Sequence, residues 1–367
     1  MSPAELEYRL ARSLDDFKSR RARGEDPRAD DYRDEVGEAS WPEFQEMVEL
    51  EDMLDQVLDP GPEEPLPREF GPYTLIRELG RGANGIVYEA VHRELKRREA
   101  VKVLRTGFEE EGSAYDRFRN EAKYLARVRH EHIVEIYGAG QVDGRPYYAM
   151  TLLEGTTLSQ LGRRGELPAY PELCRGLAGI ADALHAMHTL EKPTVHRDVK
   201  PQNILVTQDG RMVLADFGLA RSLEDEHLTR TGHALGTPLY MSPEQILAKR
   251  DDIDARADVY GLGATLYELL AGRPVFQTDD MRALMQSILG ERPESLRRVA
   301  PDVPGPCADI AMKALEKRRR DRYPDAAAMR DDLLAFAEGA RVRGRPVSSM
   351  RHGLRSLKRY ALPIAAA

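Results

Sequence analysis

The sequence predicts an α+β fold of two lobes, a small β-rich one followed by a larger helical one, behind a short helical appendage at the N-terminus. Three observations carry this. From Tyr73 the chain runs in short β-branched and aromatic stretches of period two. After Gly155 the apolar residues recur at helical spacing. The first 66 residues stand apart by charge, with 8 Lys/Arg against 20 Asp/Glu, so that they carry −12 and the remainder +4 of a net −8.

In the appendage, Leu6, Leu10, Leu14 and Phe17 fall on one face of a helix over about residues 4–21. A polar, Gly- and Pro-punctuated stretch runs through Gly37, and a second helix is expected over about 41–57 with Phe44, Met47, Val48, Leu54 and Val57 inward. Four prolines, Pro60, Pro62, Pro65 and Pro67, fall within 59–67 and favour an extended linker because proline cannot donate to a helix or ladder. Beyond it, Tyr73–Leu79, Ile86–Val91 and Ala100–Leu104 read as strands and about 114–128 as a helix with Phe118, Ala122, Leu125 and Val128 inward. Strands near 133–140 and 146–152 complete a small sheet, and helices follow at about 157–162, 171–190, 258–271, 279–289, 307–317 and 325–337. The resulting segments are 1–66, 67–155, 156–338 and a basic tail 339–367.

Composition excludes several classes. The 41% hydrophobic content is that of a soluble globular chain, and no apolar run reaches the ~18 residues of a membrane helix. The N-terminus has neither the basic head nor the apolar run of a secretory signal. Cys174 and Cys307 have no metal-ligand spacing and read as reduced, buried thiols.

The chemistry concentrates in Val195 to Asn203. There Asp198 can orient a hydroxyl, Lys200 can neutralise a moving phosphate, and Asn203 can supply an oxygen to Mg²⁺. Asp216, at the end of the strand Met212–Ala215 and before Phe217-Gly218, is the second hard oxygen ligand, since Mg²⁺ is held by one or two side chains and the substrate phosphates. Gly80, Gly82 and Gly85 open the backbone to phosphate, and the β-branched run that follows makes their loop a hairpin turn, not a helix start. A plain hairpin would satisfy that loop equally well on its own. Lys102 lies in an apolar strand, where a lysine destabilises unless paired, and Glu121 on the next helix is its expected partner. The other reading of Lys102 is an exposed edge-strand residue.

Taken in order, the glycine loop, Lys102, Glu121, His196-Arg197-Asp198, Asn203, Asp216-Phe217-Gly218, Ser242-Pro243-Glu244, Asp258 and Arg322 resemble the protein kinases, specifically the eukaryotic-like serine/threonine kinases of bacteria. The resemblance runs from Phe70 to Phe336. Lys200, two residues after Asp198, and Gly236-Thr237 look like a Ser/Thr kinase. The resemblance implies a two-lobed kinase fold that uses ATP with Mg²⁺, or Mn²⁺ in its place, to phosphorylate Ser/Thr hydroxyls of protein substrates. It implies that Asp198 accepts the hydroxyl proton and that Val87, Ala100 and Leu205 sandwich adenine. Met150 would stand at the back of the pocket, main chain of Thr151 and Leu153 would bind the adenine edge, and Glu154 would reach the ribose. Glu244 and Arg322 would form a buried ion pair, and Asp258 would brace the catalytic loop. Thr151 departs from an acidic residue common in relatives, but that contact is main-chain.

Thr229 and Thr231 are the expected activation-loop phosphorylation sites, with Arg197 placed to clamp the phosphate. Trans-autophosphorylation would need a kinase homodimer. The segment from Arg341 to Ala367 has seven basic residues and no acidic one, then ends apolar. It has few aromatics and no nucleic-acid module, so a membrane surface is expected and nucleic acid is not. The protein is expected to be cytoplasmic, or the cytoplasmic part of a single-pass membrane protein. The rival reading is a catalytically weak nucleotide-binding scaffold acting through residues 1–66. A small-molecule kinase is weaker still, because the segment from Gly236 to Glu244 resembles a protein-substrate platform.

Overall fold

The computed structural model describes residues 9–10, 12–14, 16–17, 20, 27–37, 40–42, 44–45, 47–48, 65–82, 85–104, 113–216, 238–247, 253–278 and 280–347, with the backbone alone for 113–117 and 121. The chain divides into two compact units, Met1–Leu66 and Pro67–Ala367.

The first unit has its own core of Leu10, Phe17, Tyr32, Val36, Trp41, Phe44 and Val48. The described residues in 9–20 and 41–48 are helical, as their spacing predicts. The intervening stretch is not irregular throughout: it holds a 3₁₀ turn, Ala29–Tyr32, and a short helix, Arg33–Val36. Tyr32 lies 5.9 Å from the Phe17 ring and 5.6 Å from Phe44, and its hydroxyl donates to Asp16 at 2.8 Å. Two apolar residues one turn apart among charges are too few for a periodic signal, but they suffice to close a small core.

The second unit opens with a six-stranded antiparallel sheet in the order β1-β2-β3-β4-β6-β5. Its strands are β1 (Arg68–Phe70), β2 (Tyr73–Gly82), β3 (Gly85–His92), β4 (Arg98–Leu104), β5 (Ile136–Val142) and β6 (Arg145–Thr151). Alternation along them sorts the two faces. Val101, Val103, Tyr147 and Ala149 pack on one side with Phe70, Tyr73 and Leu75. Ala100, Leu104, Tyr148 and Met150 pack on the other, where helix α1 (Ser113–Leu125) adds Phe118, Ala122 and Leu125. Lys102 shares that second face, in the middle of the sheet and not on an edge.

The helical lobe includes a three-stranded sheet of β7 (Gly155–Thr157), β8 (Ile204–Thr207) and β9 (Met212–Leu214). Its helices are α2 (Leu158–Arg164), α3 (Tyr170–His188), α4 (Pro243–Ile246), α5 (Arg256–Ala271), α6 (Met281–Gly290), α7 (Leu296–Val299), α8 (Gly305–Ala314) and α9 (Ala326–Ala337). α5 is buried almost all round, which marks it as the lobe's central helix. Cys174 on α3 and Cys307 on α8 are buried free thiols 3.5 Å apart in the same core. Among the described residues, no helix is long and apolar enough to cross a membrane.

Two polar arrangements tie this lobe together. Arg322 forks onto Glu244 at 2.6 and 2.9 Å, and it also donates to the carbonyls of Glu316, Arg256 and Lys317. Both side chains are buried. The start of the basic tail is the second. Val342 is buried, the Arg343 and Gly344 amides donate to Asp332, Arg345 pairs with Asp309, and the Val347 amide donates to Glu316. Residues 340–347 therefore pack as a strap on the helical lobe, and any side chain at 344 would run into Tyr323 and Asp332.

Lys317 caps the C-terminus of α6, donating to Ile288 O at 2.7 Å and Ser287 O at 3.2 Å with its ammonium over the Phe276 ring. Burial first, and then the charge of Arg322, push its pKa down to about 7 from 10.5, against an opposing pull from Glu291. Folding thus expels a proton between these two values, and stability from this group rises with pH across that window. Lys317→Met is expected to flatten the increase in unfolding free energy between about pH 7 and 10, read by urea titration at each pH. An unchanged slope would refute the assignment.

Candidate active site

The loop between α3 and β8 is held from below by one carboxylate. Asp258 on α5, 1% exposed, accepts from the His196 amide at 2.7 Å, the Arg197 amide at 2.8 Å and the His188 ring at 2.7 Å. Burial alone would raise its pKa, but the His188 hydrogen bond, the nearby imidazoles and the backbone donor hold it below the ordinary value. Arg197 sits at φ +66, a conformation unfavourable for a side chain, and its carbonyl accepts from Gln245 at 2.9 Å. The donor to Asp258 and the acceptor for Gln245 hold the two peptides that flank the Arg197 Cα. His196 is buried, and desolvation holds its pKa down despite the carboxylates of Asp258, Asp198 and Asp216. It is neutral at pH 7 and belongs to the loop's packing.

With the loop fixed, its functional side chains converge. Asp198 is buried, and its Oδ2 accepts from Lys200 Nζ and from Asn203 Nδ2, each at 2.8 Å. Asn203 Nδ2 also donates to Asp198 O at 2.8 Å, which assigns the amide orientation. Asn203 O accepts from the Ala215 amide at 2.8 Å, so the loop is tied to the residue before Asp216.

Asp216 follows β9 at φ +61. Its Oδ1 takes the Lys102 ammonium and the Tyr148 hydroxyl, the latter at 2.9 Å. Lys102 is 5% exposed. Its pairing with Asp216, 114 residues away, is not one the sequence suggested; Glu121 lies on α1 with its side chain outside the described residues. Among the described residues, no donor reaches Asp216 Oδ2 or Asn203 Oδ1. The donor set is therefore two hard oxygens, one of them charged, which fits a divalent cation of the Mg²⁺ type.

The apolar residues expected to hold a base lie in one cluster. Val87, Ala100, Met150, Leu153 and Leu205 pack together, with Ala100 directly opposite Met150 and Val87 opposite Lys102 across the strands. The Thr151 amide donates to Glu135 O at 2.9 Å. Among the described residues, the Leu153 amide has no acceptor. Glu154 is exposed, with Gln208 at 3.5 Å.

Gly80, Gly82 and Gly85 lie on the β2–β3 hairpin, where Gly82 pairs with Gly85. Among the described residues, packing requires glycine at Gly85, which has φ +148 and where a Cβ would strike Val103 O. A Cβ at Gly80 or Gly82 would stand in open space. Among the described residues, no packing contact demands glycine at those two positions, and the bare backbone there is open to a closely approaching phosphate. Ala83, Asn84, Phe217, Gly218, Thr229, Thr231 and Gly236-Thr237 lie outside the described residues.

Sequence reasoning missed three residues here. His188 extends the inward stripe Leu173, Leu177, Ala181, Leu184 of α3, and a polar residue on such a stripe is a detectable signal. Tyr148 shares a strand face with Met150, also legible by alternation. Gln245 had no local signal, since its partner is the Arg197 carbonyl.

The protein kinase domain profile matches residues 73–334. The chain is similar to the serine/threonine-protein kinase PknH of Mycobacterium bovis, 38% identical over 258 residues covering 70% of this chain and 42% of that protein. It is 37% identical over 262 residues to PknF of Mycobacterium tuberculosis, covering 69% of this chain and 54% of that one. The chain therefore spans about half, or less, of the length of these relatives. The crystal structure of the M. tuberculosis PknI kinase domain superposes with a TM-score of 0.59 at 28% identity, covering 76% of this chain and 100% of that domain.

Proposed function

Since this chain belongs to the protein kinase domain family, we propose that it is a serine/threonine protein kinase, transferring the ATP γ-phosphate to Ser/Thr hydroxyls of proteins. The observation that carries this is the convergence on one loop: the Asp198 carboxylate oxygen shared by Lys200 and Asn203, on a segment braced by Asp258. Asp198 orients the incoming hydroxyl and takes its proton. Lys200, already beside that carboxylate, neutralises charge on the phosphoryl oxygens. Lys102 binds the nucleotide's phosphates and is steadied by Glu121, while the hairpin amides at Gly80, Gly82 and Gly85 cover them. Val87, Ala100, Met150 and Leu205 enclose adenine, and the Leu153 amide donates to its edge. Asp216 and Asn203 hold the divalent cation, Mg²⁺ or Mn²⁺. That ion would supply the positive charge that offsets the charge of the phosphates.

The proposal extends to the segments. Residues 67–155 and 156–338 act as the two kinase lobes, and 1–66 as a separate acidic docking unit. The charge of 339–367, seven basic residues and no acidic one, suits the anionic face of a membrane, and with it a cytoplasmic setting. Thr229 and Thr231 take the activating phosphate, in trans between two copies, and Arg197 clamps it. Incubation of the full chain with ATP and Mg²⁺ followed by peptide mass spectrometry tests this. Phosphate on Thr229 or Thr231 is expected. Phosphate only elsewhere removes the switch, and none at all favours the scaffold reading.

A further inference from the structure

Tyr148 belongs to none of the motifs, yet its hydroxyl meets the oxygen of Asp216 that also takes Lys102. The two donors are cross-strand partners, Lys102 on β4 directly opposite Tyr148 on β6, so they leave one face of the sheet side by side. The Tyr148 ring is 0% exposed. An apolar side chain of the same shape would fill this site with no polar atom to satisfy, and a phenol this deep destabilises unless its hydroxyl has a partner. The one partner the hydroxyl has among the described residues is a carboxylate at the open end of the site, 31% exposed and at a left-handed backbone position.

We propose that Tyr148 is a positioning residue for the cation-binding carboxylate, pinning Asp216 Oδ1 so that Oδ2 is presented to the metal. This rests on the reading of Asp216 as a metal ligand. Lys102 cannot hold Asp216 in place throughout turnover, because in that reading its ammonium serves the nucleotide phosphates. Tyr148 is then the side-chain donor that remains on Oδ1. With both donors on one oxygen the carboxylate has a set rotation, and the second oxygen keeps its lone pairs for a cation. Without the hydroxyl, the carboxylate must be ordered by the cation itself, and binding weakens by that ordering cost.

The test uses the full chain with Tyr148→Phe and Asp216→Asn. Affinity for a fluorescent ATP analogue is measured without metal and during a Mg²⁺ titration, alongside kcat, KM and the ligand-free melting midpoint. For Tyr148→Phe, the metal-free affinity is expected to stay within about twofold. The Mg²⁺ concentration giving half-maximal tightening is expected to rise about tenfold, as for loss of a hydrogen bond to a charged group. The loss in kcat should be recovered at saturating Mg²⁺. A hydroxyl with a merely structural role would lower the melting midpoint and the metal-free affinity and leave the Mg²⁺ midpoint in place, which overturns the proposal. If Asp216→Asn abolishes the Mg²⁺ response and Tyr148→Phe does not move it, the proposal alone fails. If Asp216→Asn leaves the response intact, the assignment of the ligand fails with it.

Discussion

Asp198→Asn is expected to lower phosphate incorporation by about 10²–10⁴-fold while leaving nucleotide affinity within about twofold, because a positioned general base contributes about that much. The substitution keeps the shape of the side chain. An amide oxygen can still accept from Lys200 and Asn203, which now share Oδ2 at 2.8 Å, so the loop retains its internal ties. The anchors on Asp258 are backbone amides and do not involve the substituted atom. What disappears is the negative charge and the capacity to take a proton. Labelled ATP and a fluorescent nucleotide give the two readouts. Equal incorporation by both proteins would remove Asp198 from the mechanism, and a parallel loss of nucleotide affinity would mean that the loop had collapsed.

Arg322→Ala is expected to be the most destabilising single change in the helical lobe. It strips a buried carboxylate of its partner and leaves Glu244 charged in a dry site, which costs about 3–5 kcal/mol. The same guanidinium satisfies three backbone carbonyls and lies 4.9 Å from the Tyr260 ring, so the loss is not of the ion pair alone. In a domain of this size that corresponds to a fall of roughly 10 °C in melting midpoint. The effect should reach the active site, because Glu244 neighbours Gln245, whose amide holds the Arg197 carbonyl. The paired change Glu244→Met with Arg322→Met should regain part of the stability, since an apolar pair leaves no charge unsatisfied. A single variant that melts with the wild type, or a double variant worse than either single, would show that the pair does not work this way.

Much of the fold was legible because its signals are local. Strand alternation from Tyr73 and helical periodicity after Gly155 place the main elements within a few residues of where they lie, since each pattern reflects one element burying one face. The elements not anticipated are short. β1, α4, α7 and the short helix Arg33–Val36 span three or four residues each, too few for a period to repeat. The buried pair Glu244–Arg322 and the brace at Asp258 followed from the resemblance, and propensity alone would not have suggested either.

Within the site, the equipment on one loop could be read directly: Asp198, Lys200 and Asn203 lie within six positions, and a short loop keeps its own residues close. By itself the sequence determined the order of the chemical groups, the two lobes and which residues share each strand face. Tertiary structure alone decided that Lys102 and Tyr148 meet on one oxygen of Asp216, 114 and 68 residues distant in the chain. It also decided that His188 serves Asp258 and that the basic tail begins as a strap on three buried carboxylates. The physical reason is the same in each case. Periodicity tells which way a side chain faces, whereas its partner is set by which distant surfaces pack together, and that is a property of the whole core.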